Sequence, residues 1–106
     1  MSYFADANTQ AQFAAAKMKK NNLFTTERLF CDVYCFESGQ EQTPHSHSGS
    51  DKIYYVIDGT ARIRIGAEER DVGPGTAALA PSEVSHAVSN PGPGRLRVLV
   101  LMAPKP

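Results

Sequence analysis

The 106-residue sequence has no excess charge of either sign, no apolar run long enough to cross a membrane, and no basic, apolar start of the kind found in a signal peptide. Eleven Lys and Arg residues balance eleven Asp and Glu residues, so we expect neither nucleic acid nor an anionic membrane as a partner. These features predict a cytoplasmic chain that forms one domain around a single modest core.

The sequence also lacks a cysteine pair with the spacing of a disulfide. Cys31 and Cys35 lie in the segment RLFCDVYCFE, which has the composition of a β-strand. Four residues of strand separate two Cα atoms by about 13 Å, whereas a disulfide needs less than about 7 Å. Both side chains point to the same face of the strand, and we predict that they serve as small apolar filler.

Short apolar segments separated by Gly, Pro and Asn turns make up most of the sequence. In ARIRIG, Ala61, Ile63 and Ile65 alternate with arginines, which is the period of a strand with one buried and one wet face. This pattern predicts an all-β sandwich or small barrel over residues 28–106.

Residues 1–27 form a separate N-terminal segment that we expect to pack on the barrel or on a partner. The alanine content of residues 11–20 predicts a short helix or turn there, although the segment has no strong cap. A strand is expected to follow near residues 18–24.

The last strand is apolar on both faces. One face carries Leu96, Val98, Val100 and Met102. Because Leu99 and Leu101 occupy the opposite face, that face must also be covered, either by the N-terminal segment or by a second subunit. We favour a second subunit and predict a homodimer.

Three histidines are the candidate metal ligands. His45 and His47 project to the same side of an extended chain, and two such imidazoles can converge on one ion. His86 lies in another strand-like segment, PSEVSHAVSN. Taken alone, the His-x-His pair is also compatible with two exposed loop histidines.

The frame around these histidines resembles the two sequence signatures of the cupin family, over about residues 28–103. The matching residues, in chain order, are Gly39, His45, His47, Gly59, Gly75, Pro81, His86 and Asn90. This resemblance implies a jelly-roll barrel, the double-stranded β-helix, with a metal-capable pocket inside. In the family the pocket is usually formed by the His-x-His pair, a glutamate and the histidine of the second signature.

The sequence departs from the family at the glutamate. Counting back from Gly59 assigns that position to Lys52, and counting forward from His47 allows Asp51 or Lys52. Neighbouring strand residues face opposite ways, so only one of the two enters the barrel unless a bulge intervenes. The register from Gly59 favours Lys52.

Three arrangements are therefore open. If Lys52 swings outward, a three-histidine site remains, similar to the three-His cupins that include the thiol dioxygenases. If a bulge turns Asp51 inward, a carboxylate completes the metal site. If neither occurs, the inward Lys52 opposes a metal ion, and a metal-free pocket that binds an anionic ligand through Lys52 becomes the alternative to a metal site.

Two further residues are weak catalytic candidates. Tyr54 can line the pocket and orient a small-molecule ligand beside Lys52, although a buried structural tyrosine is the ordinary case. Glu83 replaces a glycine of the second signature and lies three residues before His86, where it can be an exposed loop acid or a hydrogen-bond partner of that histidine.

These residues lead to two main functional hypotheses. The first is a metal-dependent enzyme, an oxidoreductase of the dioxygenase kind or an isomerase, with one divalent ion of Fe, Ni, Cu, Zn or Mn and a small organic substrate. The second is a non-catalytic sensor or carrier of a small ligand. A metal-storage protein is disfavoured, because three ligands give little capacity.

Overall fold

The computed structural model describes residues 2–106 and contains, within that range, nine β-strands and no helix. The strands are β1 (Lys19–Thr25), β2 (Phe30–Phe36), β3 (Glu41–His45), β4 (Asp51–Asp58), β5 (Ala61–Ile65), β6 (Glu68–Val72), β7 (Ala77–Ala80), β8 (His86–Ser89) and β9 (Leu96–Ala103). Because these residues form no helix, none of them provides a helix able to span a membrane.

The strands form two antiparallel sheets that face each other in a jelly roll. The five-stranded sheet has the order β1-β2-β9-β4-β7, and the four-stranded sheet has the order β3-β8-β5-β6. The core fills the space between them and includes Tyr34, Phe36, Tyr54, Val56, Ile63, Val88, Leu96, Val98 and Val100. The predicted all-β barrel is therefore confirmed.

The predicted helix within residues 11–20 is wrong. The carbonyls of Ala14 and Ala15 accept hydrogen bonds from the side-chain amide of Gln40, at 2.7 and 3.3 Å, instead of from backbone N–H groups one helical turn later. The Arg95 guanidinium lies 4.3 Å from the centre of the Phe13 ring. The segment is held on the sheet by contacts of this kind, and alanine content without a cap does not outweigh them.

Gly59 sets the end of β4. Its φ is +86°, and a Cβ at this position would collide with the backbone oxygen of Arg95. Only glycine tolerates both the conformation and the close approach. The chain therefore turns here and ends β4, whose buried positions are Lys52, Tyr54 and Val56.

The outer face of the five-stranded sheet keeps an apolar patch exposed. Ile53 of β4 pairs with Leu79 of β7 on one side and with Leu101 of β9 on the other. Leu79 is 53% exposed, Tyr55 42% and Leu101 39%. On the same face, the free thiols of Cys31 and Cys35 are half-buried and buried, respectively. Ile53, Tyr55, Leu79 and Leu101 are here called the outer apolar face. They lie in the part of the sheet where the sequence predicts that another segment or subunit covers the surface.

Candidate metal centre

The three histidines meet at one end of the four-stranded sheet. His45 ends β3 and His86 begins β8, and the two are direct partners in the β3–β8 pairing. His47 follows two residues later, in the loop before β4. One ring nitrogen from each histidine can be chosen so that all three lie within 4.8 Å of one another. Residues from distant parts of the sequence thus form a single cluster.

Two backbone carbonyls orient the rings of this cluster. Nδ1 of His45 lies 2.9 Å from the carbonyl oxygen of Thr43, and Nδ1 of His86 lies 2.9 Å from that of Val84. A carbonyl only accepts, so we assign the proton of each neutral ring to Nδ1. The two Nε2 atoms then carry lone pairs, and they face each other across 3.1 Å. Two lone pairs cannot bond each other, but they can share a cation.

His47 contributes a third nitrogen without a partner. Its Nε2 is buried and makes no hydrogen bond to any of residues 2–106. Buried polar atoms in folded proteins are nearly always satisfied, by protein, water or an ion. Because His47 lies in a loop, its ring is less constrained than the two that are held by strand pairing. Three neutral imidazoles, two of them oriented by backbone carbonyls, fit a divalent transition metal.

Burial keeps all three rings neutral near pH 7. Desolvation is the main cause that lowers the pKa of His45 and His47, and it lowers the pKa of His86 to about 4. The charge of Lys52 lowers the pKa of all three further. Since only the neutral imidazole binds a metal ion, the protein does not have to deprotonate these groups at neutral pH.

The side chain of Lys52 points into the barrel and lies next to the three histidines. The pairing of β4 with β7 and β9 is regular from Lys52 through Tyr55, without a bulge, and Lys52 is only 2% exposed. Its Nζ lies 3.4 Å from Nε2 of His45. The structure therefore adopts neither the outward lysine nor the inward aspartate considered from the sequence.

Asp51 faces away from the pocket and binds the backbone of a neighbouring loop. Its side chain is exposed, and Oδ1 accepts a hydrogen bond of 2.9 Å from the backbone N–H of Ser82. This bond ties the start of β4 to the loop between β7 and β8. Asp51 therefore lies where it cannot serve as the fourth ligand suggested by the spacing.

Aromatic rings hold the Lys52 ammonium in place. Nζ lies 5.7 Å from the ring centre of Tyr34 and 5.5 Å from that of Tyr54, within reach of cation–π attraction. Burial, and after it the nearby ammonium of Lys20, lowers the pKa of Lys52 to about 8, whereas Asp32 acts in the opposite direction. The group remains mostly charged at pH 7.

Replacing Lys52 by methionine is expected to stabilise the metal-free protein by about 1–3 kcal/mol at pH 7. Folding lowers the lysine pKa from 10.5 to about 8, which disfavours the charged form in the folded state by on the order of 3 kcal/mol. This penalty is complete below pH 8 and is relieved as the pH rises towards 10.5, so wild-type stability should rise over that window. Denaturant unfolding at the two ends of the window, with a chelator present, measures both effects.

A lower denaturant midpoint for Lys52→Met at pH 7 would contradict this expectation. The same conclusion would follow if the variant kept the full pH dependence of the wild-type protein. Either result would mean that the ammonium is compensated in the folded state.

Tyr54 lies beneath the histidines with its hydroxyl already engaged. The residue is fully buried, its ring centre lies 6.0 Å from that of His86, and its hydroxyl donates a 3.0 Å hydrogen bond to Oε1 of Gln42. Burial raises its pKa well above the ordinary value. This arrangement makes Tyr54 a support for the site, with its ring at the lysine and its hydroxyl turned to Gln42.

Glu83 touches the site through its backbone. Its φ of 70° makes it the one non-glycine residue with positive φ in the described chain, at a cost of about 1–2 kcal/mol. The exposed carboxylate lies 3.4 Å from the hydroxyl of Ser48, and the backbone N–H of Glu83 donates to the carbonyl of His47. Glu83 therefore adopts the left-handed conformation that glycine favours, and its backbone helps to position His47.

A pocket of about 350 Å³ opens beside the cluster. Its lining includes Lys20, Phe30, Tyr34, His45, His47 and Lys52. The sequence did not single out Lys20 and Tyr34. Tyr34 was assignable to the inner face, because it alternates with the two outward cysteines of β2. Lys20 could not be assigned to the pocket from the sequence, because its position depends on the pairing of β1 with β2.

Comparisons with known proteins agree with this architecture. Residues 32–102 match the Cupin domain family. An uncharacterized protein of Streptomyces coelicolor is 32% identical over 84 residues, which cover 76% of each chain. The pectin degradation protein KdgF of Dickeya dadantii is 29% identical over 86 residues, which cover 81% of this chain and 78% of that protein.

Solved structures resemble the chain over its whole length. The crystal structure of TT1209 from Thermus thermophilus superimposes with a TM-score of 0.95 at 38% identity, covering 99% of this chain and 100% of that one. The structure of KdgF from Halomonas sp. gives 0.85 at 26% identity, covering 100% of this chain and 96% of that one. The similarity extends to the N-terminal segment and is not restricted to the two signatures.

Proposed function

The chain belongs to the cupin family, and from this premise we propose that it binds one divalent transition-metal ion through His45, His47 and His86 and acts on a small organic molecule. The observation that carries the proposal is the pair of Nε2 atoms, on His45 and His86, that face each other across 3.1 Å. We assign the protons of both rings to the nitrogens that face backbone carbonyls, and the buried Nε2 of His47 can supply a third lone pair.

The three histidines would leave open positions on a bound ion. Such an ion supplies Lewis acidity or the means to activate dioxygen, and imidazole ligands suit Fe, Ni, Cu, Zn or Mn. An oxidation or an isomerisation of a small organic molecule is the reaction class that we propose. That one relative is named as a pectin degradation protein is compatible with a small organic substrate. Tyr54 and Gln42, both buried and joined by a hydrogen bond, support the site from inside the barrel.

A second candidate function is a metal-free binding module. The observation that favours it is Lys52, because a buried ammonium 3.4 Å from a ligand nitrogen opposes a dication. In this case the pocket would hold a small anionic molecule without turning it over.

We expect chelator-treated protein to take up one equivalent of divalent metal per chain. Calorimetric titration with Co²⁺, Ni²⁺ and Zn²⁺ measures the stoichiometry, and elemental analysis of the protein as purified identifies the ion that it carries. A stoichiometry near zero for all three ions would contradict the metal site and favour the binding module. Addition of a competing chelator after loading is the control for adventitious surface binding.

We also propose that the protein is a homodimer, in a cytoplasmic setting, with the outer apolar face as the contact. The pairing places Ile53, Leu79 and Leu101 in one row of that face, which is unusually apolar for a surface left to water. Light scattering should give twice the 11.5 kDa chain mass. Leu79→Asp should halve the measured mass, whereas Arg64→Asp, an exposed position on the other sheet, should not. A monomeric wild-type protein would contradict this proposal.

A further inference from the structure

Lys52 carries a buried positive charge without an ion pair in the described part of the chain. Its side chain is 2% exposed, and it takes part in no ion pair within residues 2–106. The nearby acid, Asp32, accepts a 2.7 Å hydrogen bond from Asn22 instead. Among the described residues, the one hydrogen-bond neighbour of Nζ is Nε2 of His45, at 3.4 Å. The charge of Asp32 acts on Lys52 from beyond ion-pair distance and offsets the cost of burial only in part, so a negative group that enters the pocket and contacts the ammonium would lower that cost further.

A second ammonium stands at the mouth of the same pocket. Lys20 pairs directly with Tyr34 in the β1–β2 ladder, and its Nζ lies 5.2 Å from the centre of the Tyr34 ring. Nζ of Lys52 lies 5.7 Å from the same ring centre. Both lysines line the pocket, one exposed at its entrance and one buried at its base. The two positive groups thus flank one aromatic ring.

Within residues 2–106, the remaining lining of the pocket adds no Asp or Glu side chain. Among the described residues, that remaining lining consists of Phe30, Tyr34, Gln42, Thr43, His45, His47, Met102 and Pro106. A low-dielectric pocket with charges of one sign concentrates ligands of the opposite sign. A volume of about 350 Å³ limits such a ligand to a small molecule.

We propose that Lys20 and Lys52 together recognise the carboxylate of a small organic acid, which binds beside the three histidines in this pocket. Lysine ammonium groups donate charge-assisted hydrogen bonds to carboxylates, and two of them favour an acid over its neutral analogue. The inference rests on the proposed function only in that it assigns the ligand to the same pocket. It does not require that a metal be bound.

Calorimetric titration with L-malate and its uncharged diamide, L-malamide, tests the proposal on the full chain. The two probes have nearly the same size and shape and differ in charge. The wild-type protein should bind malate at least about tenfold more tightly than malamide, both after chelator treatment and with one equivalent of Zn²⁺. Lys52→Met and Lys20→Met should each reduce this preference by about fivefold or more.

Lys19→Met provides the matched control. Lys19 neighbours Lys20 on β1 but faces the other way, where its Nζ donates a 3.0 Å hydrogen bond to Gln12. This variant should keep the wild-type preference within about twofold. Because Lys20 is exposed, its replacement tests the proposal independently of any change in stability at Lys52.

The possible outcomes separate this inference from the metal site. Equal affinities for malate and malamide, an absence of malate binding, or a preference that survives both pocket variants would overturn the carboxylate site and leave the metal site standing. A lysine-dependent preference for malate in a protein that binds no metal would support the carboxylate site and overturn the metal proposal.

Discussion

Replacing Lys52 by glutamate is expected to raise the affinity of the site for a divalent metal by about a thousandfold. The native ammonium lies 3.4 Å from a ligand nitrogen of His45. Two like charges about 4 Å apart repel by about 4 kcal/mol at an effective dielectric of 20, which corresponds to roughly three orders of magnitude in affinity. Glutamate removes this repulsion and adds a carboxylate at the position that the family's ligand occupies. Competition against a chromophoric chelator measures the change.

Lys52→Met separates the two parts of this effect. Methionine removes the charge without adding a ligand, so its affinity should lie between those of wild type and Lys52→Glu. If all three proteins bound metal equally, the ammonium would not be next to the ion, and the position assigned to Lys52 in the site would be wrong.

Loss of any one histidine is the second large effect that we expect. A single alanine replacement at His45, His47 or His86 should lower metal affinity by at least about a hundredfold, because each ring provides one of only three protein ligands. His86 is 2% exposed, so His86→Ala can also destabilise the fold. His47 lies in a loop and is the cleaner test, with thermal unfolding of the metal-free variant as the check on folding.

Asp51→Asn is the matched control for the histidine variants. Asparagine keeps the oxygen that accepts from the N–H of Ser82 but removes the negative charge. Its metal affinity should stay within about threefold of wild type. A loss as large as that of His47→Ala would show that the aspartate reaches the ion, and the three-histidine account would fail.

Much of the fold could be predicted from the sequence because the relevant information is local. The alternation of apolar and polar residues in ARIRIG, and turns such as the one at Gly59, depend on near neighbours in the chain. The inward position of Lys52 was predicted from the spacing to Gly59 in the family resemblance; strand alternation counted back from that glycine does not give it, because the pairing of β4 with β9 shifts register between Val56 and Asp58. The helix prediction for residues 11–20 failed because the amide of Gln40, far along the chain, binds the carbonyls of Ala14 and Ala15.

The candidate site was only partly predictable, since it depends on which strands pair. The histidines were found through their own spacing and the family resemblance, and their common centre follows from the pairing of His45 with His86. Composition alone could not decide whether Asp51 or Lys52 faces inward, because the positions that follow are apolar on both faces of β4. The contribution of Lys20 depends on the pairing of β1 with β2, and no local pattern marks it.

The central claim is that three imidazole nitrogens share one cation inside the barrel. X-ray absorption spectroscopy at the metal edge of the protein loaded with one equivalent of Co²⁺ or Zn²⁺ tests it most directly. We predict three imidazole nitrogens bound directly to the metal at about 2.0–2.2 Å, with their number reduced to two in His47→Ala. Fewer than three directly bound imidazoles in the wild-type protein, or a number that His47→Ala leaves unchanged, would contradict the claim.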